Sequence, residues 1–306
     1  MTNATHMVVM MAPANSTLDS DTLDAAVAAA QGQVLDRQAV PVPVTLGAHR
    51  DVRKIWVNCS DTEALSTRLR QLSDEHRVDL AVLPRAVRSR RYRLAVFDMD
   101  STLIECEVID ELAEAAGVGA EVADITAQAM RGEVDFDESF RTRLALLRGL
   151  DVGAVEDLAD RLPIQNGLRE MTTTLRAQGI TLAIFSGGFL PIAERLQSDF
   201  GFDEVVANVL EVEEGKLTGR AIAPIVNREY KATALQALAD KLGIDVEDCI
   251  AVGDGANDLA MMALAGLGVA FHAKPAVRAA SPIELTHIGL DGVCYLLGSA
   301  GEFSND

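Results

Sequence analysis

The stretch LAVFDMDST, residues 94–102, joins an apolar run to two acidic residues. The four apolar residues predict a short buried strand, and Asp98 and Asp100 follow it directly, two positions apart. Two carboxylates at the buried end of an apolar strand repel each other and lose hydration unless a third group compensates their charge. The pattern therefore indicates a functional loop, with a simple polar turn as the alternative.

Three later segments contain similar apolar runs: TLAIFSGG at 181–188, CIAVGDG at 249–255 and LGVAF at 267–271. Amphipathic stretches separate them, which predicts an α/β fold with a Rossmann-like parallel sheet and helices on both faces. Ligands of open parallel sheets bind in the crevice at the carboxyl ends of the strands. We therefore expect the polar residues that end the first three strands to form one site.

The residue types at these strand ends suit a divalent cation and a phosphate group. Mg²⁺ prefers oxygen ligands, which the two aspartates of the first loop and Asp254 can supply. Ser186 and Gly187 offer a hydroxyl and an unobstructed amide to a phosphate, and Lys231 offers a compact positive charge. Taken singly, Ser186 could be a helix cap and Lys231 a solvent-exposed helix residue.

Four motifs occur in a fixed order: DMDST at 98–102, FSGG at 185–188, Lys231, and GDGAND at 253–258. Together they resemble the four motifs of the haloacid dehalogenase (HAD) superfamily of phosphohydrolases. The resemblance covers about residues 94–297. It implies a HAD core in which all four motifs meet at one edge of the sheet.

The resemblance also implies roles for the aspartates. Asp98 is expected to be the nucleophile that forms an aspartyl-phosphate, and Asp100 the general acid that later activates water. Asp98, the backbone carbonyl of Asp100 and Asp254 are expected to hold Mg²⁺. Thr102 and Asp258 are expected to act indirectly, by fixing neighbouring groups of the site.

The phosphate contacts implied by the resemblance come from the later motifs. Ser186, the Gly187 amide and Lys231 would neutralise the equatorial oxygens of the transferring phosphoryl group. Ser186 and Lys231 would thereby join the two aspartates as catalytic residues. Asn257 is expected to lie on the phosphate side of the site.

Residues 104–165 predict several helices and no strand, which indicates a helical cap inserted over the active edge of the sheet. Two segments of this insertion have sequences similar to those of the phosphoserine phosphatase family: ECEVIDELAEAAG at 105–117 and FRTRLALLRG at 140–149. That resemblance implies Mg²⁺-dependent hydrolysis of O-phospho-L-serine to L-serine and phosphate, the last step of L-serine biosynthesis.

Phosphoserine presents an ammonium and a carboxylate beside its phosphate ester. Glu107 is expected to face the ammonium, and Arg143 can grip the carboxylate with two parallel hydrogen bonds. The resemblance adds Met130 and Phe136 as an apolar lid over the substrate. Alternatively, Glu107 belongs to a solvated acidic helix face, and the two apolar residues belong to the core of the cap.

Residues 1–84 predict a separate α+β module in the order βαββαβ. The predicted strands are 7–12, 33–46, 51–59 and 78–83, and the predicted helices are 17–30 and 61–76. This order resembles the ACT domain, an amino-acid-binding regulatory module, and implies an L-serine effector. The first strand-to-helix loop, PANSTLDSDT at 13–22, lacks the glycine that such domains carry, so pairing of two chains into a homodimer is the alternative role.

Residues 85–93, RAVRSRRYR, carry five arginines and predict an exposed linker to the core at 94–306. A nucleic-acid contact is the alternative, but 27 basic against 46 acidic residues give a net charge of −19, the wrong sign for neutralising phosphates. The four cysteines show no metal-binding or disulfide spacing. No apolar run approaches a membrane span, so we expect a cytoplasmic protein without membrane or nucleic-acid partners.

Two other functions compete with the one that the cap implies. The first keeps the HAD chemistry and changes the substrate to another small phosphate ester. The second is a serine-sensing regulatory protein in which the N-terminal module does the work and the core is vestigial. The complete set of catalytic residues argues against the second function, and the Glu107 and Arg143 pair argues against the first.

Overall fold

The computed structural model of the chain describes residues 3–13, 16–42, 50–130 and 133–297, without the side chain of Met130. These residues form a four-stranded and a seven-stranded sheet. The predicted α/β core with an additional N-terminal α+β sheet is confirmed. None of the helices in the described ranges is long and apolar enough to cross a membrane.

The four-stranded sheet is built from the first six elements, which follow the predicted order. They are β1 (His6–Pro13), α1 (Ser20–Ala29), β2 (Gly32–Ala39), β3 (Arg50–Cys59), α2 (Thr62–His76) and β4 (Asp79–Pro84). The strands are antiparallel neighbours in the order β2-β3-β1-β4. The predicted strand at 33–46 ends at Ala39, and residues 43–49 lie outside the described part of the chain. The likeness to an ACT domain stays a prediction.

The helix α2 shows how the sequence builds this layer. Asp61 accepts a hydrogen bond from the Ala64 amide at 2.9 Å and so caps the first turn. Leu65, Leu69 and Leu72 recur at helical spacing and are all buried against the sheet. One face of the sheet is thereby covered by its own helices.

The arginine-rich segment after β4 begins with a short helix, α3 (Arg85–Arg88), instead of a free linker. Arg90 contacts Glu247 at 2.5 Å and Asp248 at 3.3 Å. These arginines therefore find partners within the chain, which reduces the free positive charge expected of an exposed connector.

Four helices follow β5 (Leu94–Phe97) where the sequence predicts the cap. They are α4 (Val108–Ala116), α5 (Gly119–Met130), α6 (Phe136–Leu146) and α7 (Gly153–Asp160). Ile104 and Ile164 form an antiparallel bridge, and the Glu105 amide donates to the Pro163 carbonyl at 2.8 Å. The chain therefore enters and leaves this helical layer at one place, as a hinge requires.

The seven-stranded sheet completes the core, with strand order β11-β10-β9-β5-β6-β7-β8. Its later elements are α8 (Leu168–Ala177), β6 (Thr181–Phe189), α9 (Leu190–Phe200), β7 (Glu204–Glu213), β8 (Lys216–Ile222), α10 (Arg228–Leu242), β9 (Cys249–Gly253), α11 (Leu259–Leu264), β10 (Leu267–Phe271), α12 (Pro275–Ala280), β11 (Glu284–Leu285) and α13 (Gly292–Leu296). The strand pairs from β11 to β7 are parallel.

The edge hairpin of β7 and β8 departs from the predicted all-parallel sheet, because β8 runs antiparallel to β7. β8 carries alternating polar and apolar residues, and Asn208 interrupts the apolar run of β7, so neither strand has the continuous apolar run that marks the buried strands. Glu214 and Gly215, both with positive φ, form the turn. The Gly149 amide donates to the Leu217 carbonyl at 2.8 Å, so the hairpin also supports the cap.

The second face of the four-stranded sheet packs against the end of the core. Arg50 forms a largely buried ion pair with Asp291, and Lys54 Nζ donates to the Leu297 carbonyl at 2.7 Å. Trp56 and other apolar residues of the sheet join the core cluster. The two sheets therefore share one interface, which we call the seam.

Asp79→Ala should lower the free energy of unfolding by about 2–3 kcal/mol, because three amides, two partly buried and one buried, lose their acceptor. The buried Asp79 carboxylate accepts four hydrogen bonds, at 2.7–3.2 Å, from the amides of residues 286–288 across the seam. Asp74→Ala, which removes an exposed ion pair with Arg278 at the same seam, should cost less than about 1 kcal/mol. Urea denaturation measures both, and equal losses would contradict this account.

Candidate functional site

The carboxyl ends of β5 and β9 lie beside Ser186, which is part of β6 because this strand continues to Phe189 instead of ending before the serine as predicted. Phe97 is in register with Ile184 on one side and with Val252 on the other. The predicted catalytic side chains follow one or two positions later in each segment. The parallel register therefore brings them to one edge of the sheet.

Lys231 is the centre of this edge. Its fully buried Nζ lies 2.7 Å from Asp98 Oδ1 and 2.7 Å from Asp258 Oδ1. Asn227 caps α10 by accepting from the Tyr230 amide at 3.0 Å, which sets the first helical turn and so the position of Lys231. Burial alone lowers the pKa of Lys231, but the charges and hydrogen bonds of both aspartates outweigh it and raise the pKa. The ammonium therefore stays charged at neutral pH.

Carboxylate oxygens of Asp98, Asp254 and Asp258 lie within 4.8 Å of one another, and all three residues are buried. Burial, followed by the charges of Asp98 and Asp258, raises the pKa of Asp254 to about 8. Burial and the charge of Asp98 raise the pKa of Asp258 to about 7 in spite of Lys231. One ammonium thus leaves negative charge uncompensated. Several hard oxygen donors this close together fit a divalent cation.

Asp258 is tied to its neighbours through both oxygens. Oδ1 accepts from Lys231 Nζ, and Oδ2 accepts from the Gly255 amide at 3.0 Å. Its carboxylate thereby holds both the lysine and the loop that carries Asp254. This arrangement suits the predicted indirect role of Asp258.

Asp100 lies beside this cluster, close to both Asp98 and Glu107. Burial, followed by the charges of Glu107 and Asp98, raises the pKa of Asp100 well above its usual range. Its Oδ2 approaches Gly188 so closely that a Cβ there would lie 2.5 Å away, which only glycine avoids. A protonated carboxyl group at neutral pH can donate a proton to a leaving oxygen.

The Ser186 loop is held in place by a residue that the sequence analysis missed. Ser186 Oγ is buried and accepts from the Gly188 amide at 2.8 Å, so its own proton remains free to be donated. Asn208 Nδ2 donates to the Gly187 carbonyl at 2.8 Å, and its Oδ1 accepts from the Val226 amide at 2.9 Å. A single asparagine inside the apolar run VVANVL was the available signal.

The cap reaches over this loop. A Cβ on Gly187 would lie 3.4 Å from Phe136 Cζ and 3.8 Å from Asn257 Nδ2, so both predicted residues face the loop. Asn227 Nδ2 donates to Asp137 Oδ1 at 3.1 Å and so joins the core directly to α6. The sequence analysis missed this contact, since neither residue belongs to a motif.

Glu107 and Arg143, the two predicted cap residues with charged side chains, lie in the same part of the cap, close to the acidic Asp110. Glu107 accepts from Ser101 Oγ at 2.7 Å. Arg143 Nη1 approaches Thr126 Oγ1 at 3.3 Å. Burial lowers the pKa of Arg143, while Asp110 and Glu107 raise it. The arrangement offers a cation and an anion to one polar ligand.

Two further predictions have a different outcome. The Thr102 amide donates to the Met99 carbonyl at 3.2 Å, but its buried Oγ1 has no hydrogen-bond partner among the described residues. Backbone bonds to Met99, instead of the expected Thr102 hydroxyl, fix the loop after Asp98. The side chain of Met130 lies outside the described part of the chain.

The haloacid dehalogenase-like hydrolase family model matches residues 92–266, which is more than half of the sequence. The chain belongs to this family. The resemblance seen in the four motifs is thereby confirmed.

Similar proteins extend this result beyond the hydrolase core. The HAD-like chain is 46% identical, over 76% of its length, to a phosphoserine phosphatase of Mycobacterium tuberculosis, and spans 57% of that protein, less than two thirds. The structure of a HAD family hydrolase from Salmonella enterica serovar Typhi has a TM-score of 0.82 at 29% identity, covering 95% of this chain and 98% of that one. An unliganded probable phosphoserine phosphatase from Vibrio cholerae has a TM-score of 0.74 at 33% identity, with 95% and 86% covered.

Stabilisation of this HAD-like hydrolase by a divalent cation should increase with pH up to about 8, the pKa of Asp254. The folded protein binds a proton that the unfolded chain has already lost, so this contribution to stability disappears as the pH rises through about 8. Because a cation must displace that proton, adding MgCl₂ should raise the melting temperature more at a pH near 8 than at a pH well below 8. The expected difference between the two increases is about 2–4 °C.

Thermal melts with and without MgCl₂ across this pH range measure the effect. Asp254→Asn is the control and should abolish both the cation-dependent shift and its pH dependence. A cation shift of equal size at every pH would contradict the predicted competition between cation and proton.

Proposed function

We propose that this HAD-like hydrolase is a phosphoserine phosphatase that hydrolyses O-phospho-L-serine to L-serine and phosphate. The observation that carries the proposal is the buried centre of Lys231 and three aspartates, together with a cap in which Glu107 and Arg143 lie within electrostatic reach of each other. Similarity to the phosphoserine phosphatase of M. tuberculosis and to the probable phosphoserine phosphatase of V. cholerae supports it.

The aspartate cluster would hold Mg²⁺. Asp98, the backbone carbonyl of Asp100 and Asp254 are the proposed ligands, and their hard oxygens suit this ion. When bound, Mg²⁺ compensates the excess negative charge and polarises the phosphate ester. Asp258 acts indirectly, by fixing Lys231 and the loop that carries Asp254.

In the first half-reaction, a carboxylate oxygen of Asp98 attacks phosphorus. The bond between phosphorus and the serine oxygen breaks, and Asp100 donates its proton to that oxygen. The raised pKa of Asp100 supports this role, because burial and the charges of Glu107 and Asp98 favour the protonated form of its carboxyl group. L-Serine leaves, and an aspartyl-phosphate remains on Asp98.

In the second half-reaction, Asp100 is ionised and takes a proton from water. The oxygen of that water attacks phosphorus, the bond to Asp98 breaks, and phosphate is released. The same carboxyl group thereby returns to its protonated form. Contact between the cap and the Ser186 loop, through Phe136 and Gly187, limits access of water during the first step.

Charge on the transferring phosphoryl group is stabilised from three sides. Lys231 supplies an ammonium whose charge is maintained, in spite of its burial, by the two carboxylates of Asp98 and Asp258. Ser186 Oγ retains a free proton, and the Gly187 amide adds a backbone donor. Asn257 approaches the same loop from β9. These fixed donors need little rearrangement when negative charge develops.

The cap recognises the amino-acid head of the substrate. Glu107 pairs with the substrate ammonium, and Arg143 pairs with its carboxylate through two hydrogen bonds. Phe136 and Met130 cover the bound molecule. Arg143 is half-buried and within the electrostatic reach of Asp110, which pre-positions its guanidinium.

Residues 1–84 form the proposed regulatory part, joined through 85–93 to the hydrolase core at 94–306. We propose that this ACT-like sheet pairs two chains into a homodimer and binds L-serine as an effector. The buried contacts across the seam support coupling between the two parts. Four free cysteines fit the reducing cytoplasm, where we place the reaction.

Asp98→Asn should abolish phosphate release from O-phospho-L-serine, because an amide oxygen cannot form the acyl-phosphate. The measurement is the rate of phosphate release by the wild type from phosphoserine and from a panel of other small phosphate esters, each with and without Mg²⁺. Activity on other esters with phosphoserine ignored would retain the HAD chemistry and contradict the proposed substrate. Phosphate release by Asp98→Asn at the wild-type rate would contradict the proposed nucleophile.

Arg143→Ala should raise KM for phosphoserine by about 30- to 100-fold, since a charged hydrogen-bonded contact to the substrate is lost. The KM for p-nitrophenyl phosphate, which lacks the amino-acid head, should change by less than about threefold. Arg141→Ala on the same helix is the matched control, because Arg141 is exposed and pairs with Asp137 at 3.5 Å. Equal effects of Arg143→Ala on both substrates would overturn the assignment.

A further inference from the structure

Lys274 lies at the rim of the site, just beyond the carboxyl end of β10. Its Nζ is 3.9 Å from Asp254 Oδ2, and its amide donates to the Asp254 carbonyl at 3.3 Å. The Lys274 side chain is 53% exposed, whereas that of Asp254 is only 6% exposed. A solvent-facing ammonium thus stands directly beside a buried carboxylate of the catalytic cluster.

The backbone of Lys274 is fixed although its side chain faces solvent. Lys274 precedes α12, and its carbonyl accepts from the amides of Val277 and Arg278. Arg278 is anchored in turn by Glu284, with two hydrogen bonds of 3.0 Å. The Lys274 ammonium can therefore move only as far as its side chain reaches from a fixed backbone position at the rim.

The rim around Lys274 is otherwise acidic. Burial and the charge of Glu107 raise the pKa of Asp110 on the cap, while Arg143 and Lys274 lower it. Lys274 thus acts on the cap as well as on the core. A phosphate ester that approaches a chain of net charge −19 meets repulsion unless cations line its entrance.

We propose that Lys274 is a positioning residue that draws the anionic phosphate ester into the site and weakens cation binding at Asp254. The first effect follows because opposite charges attract along the approach path, and it rests on the proposed function. The second follows because a like charge 3.9 Å from a cation ligand opposes the incoming cation, whatever the substrate.

Removing the charge should therefore act on substrate and cation in opposite directions. In Lys274→Gln, kcat/KM for phosphoserine at low salt should fall about three- to tenfold, with kcat changed by less than about twofold. Cation affinity should become about two- to fivefold tighter. Lys274→Arg should restore both values. A residue that merely stabilises the fold would not tighten cation binding.

The experiment measures kcat and KM at saturating MgCl₂ from about 10 to about 300 mM NaCl, over which the screening length shortens from about 30 Å to below 10 Å. The kcat/KM ratio of wild type to Lys274→Gln should approach one as salt rises. Titration of the substrate-free protein with MgCl₂, followed by the melting temperature, gives the cation affinity. Lys241→Gln is the matched control. Lys241 is exposed and lies away from the site, where its Nζ is 2.6 Å from a carboxylate oxygen of Glu204.

An unchanged kcat/KM, a salt-independent ratio, or unchanged cation affinity in Lys274→Gln would overturn the proposal, as would equal effects in Lys241→Gln. If the wild type ignores phosphoserine and hydrolyses p-nitrophenyl phosphate, the proposed substrate fails. The role of Lys274 is then judged by the same comparison with that anionic ester and by the cation titration. The two failures are thereby distinguishable.

Discussion

The ammonium of Lys231, enclosed between Asp98 and Asp258, is the constraint on which the site depends. A buried pair of this kind contributes little net stability, because removing its charges from water is costly. It does fix the positions of the groups that it joins. One ammonium among several buried carboxylates also leaves an excess of negative charge. That excess accounts for the affinity that the cluster should have for a divalent cation, and it adds to the effect of burial in raising the pKa of Asp100.

The sheet supplies the second condition, because β5 lies between β6 and β9 in a single register. Residues distant in sequence are brought together by strands that are rigid and buried, while the variable chemistry lies on loops and on the cap. Fine placement depends on smaller features. Glycine at position 188 leaves room for the Asp100 carboxyl group, and Asn208 holds the Gly187 carbonyl through a hydrogen bond. Both features orient groups without adding charge.

Much of this arrangement could be predicted from the sequence. Apolar runs followed by Asp98 and Asp254 predicted two strand ends, since strand burial and polar termini are both local patterns, whereas β6 continues past Ser186 to Phe189. The hairpin of β7 and β8 escaped prediction because Asn208 interrupts the apolar run of β7 and the residues of β8 alternate between polar and apolar. Asn208 and the contact between Asn227 and Asp137 escaped it because their partners are 18 to 90 positions away. Hydrogen bonds between distant residues leave no spacing in the sequence that identifies them.

The seam has a consequence for how the chain is made. Apolar residues such as Met7 and Trp56 in the first sheet are covered by the last part of the core, and the acceptor Asp79 meets amides 207 to 209 positions later. A ribosome synthesises the first sheet long before those partners exist. One apolar face of that sheet must therefore remain exposed to water, or be covered by a chaperone, until the last strands have been synthesised. Completion of the N-terminal layer and completion of the hydrolase core then become the same late event in folding.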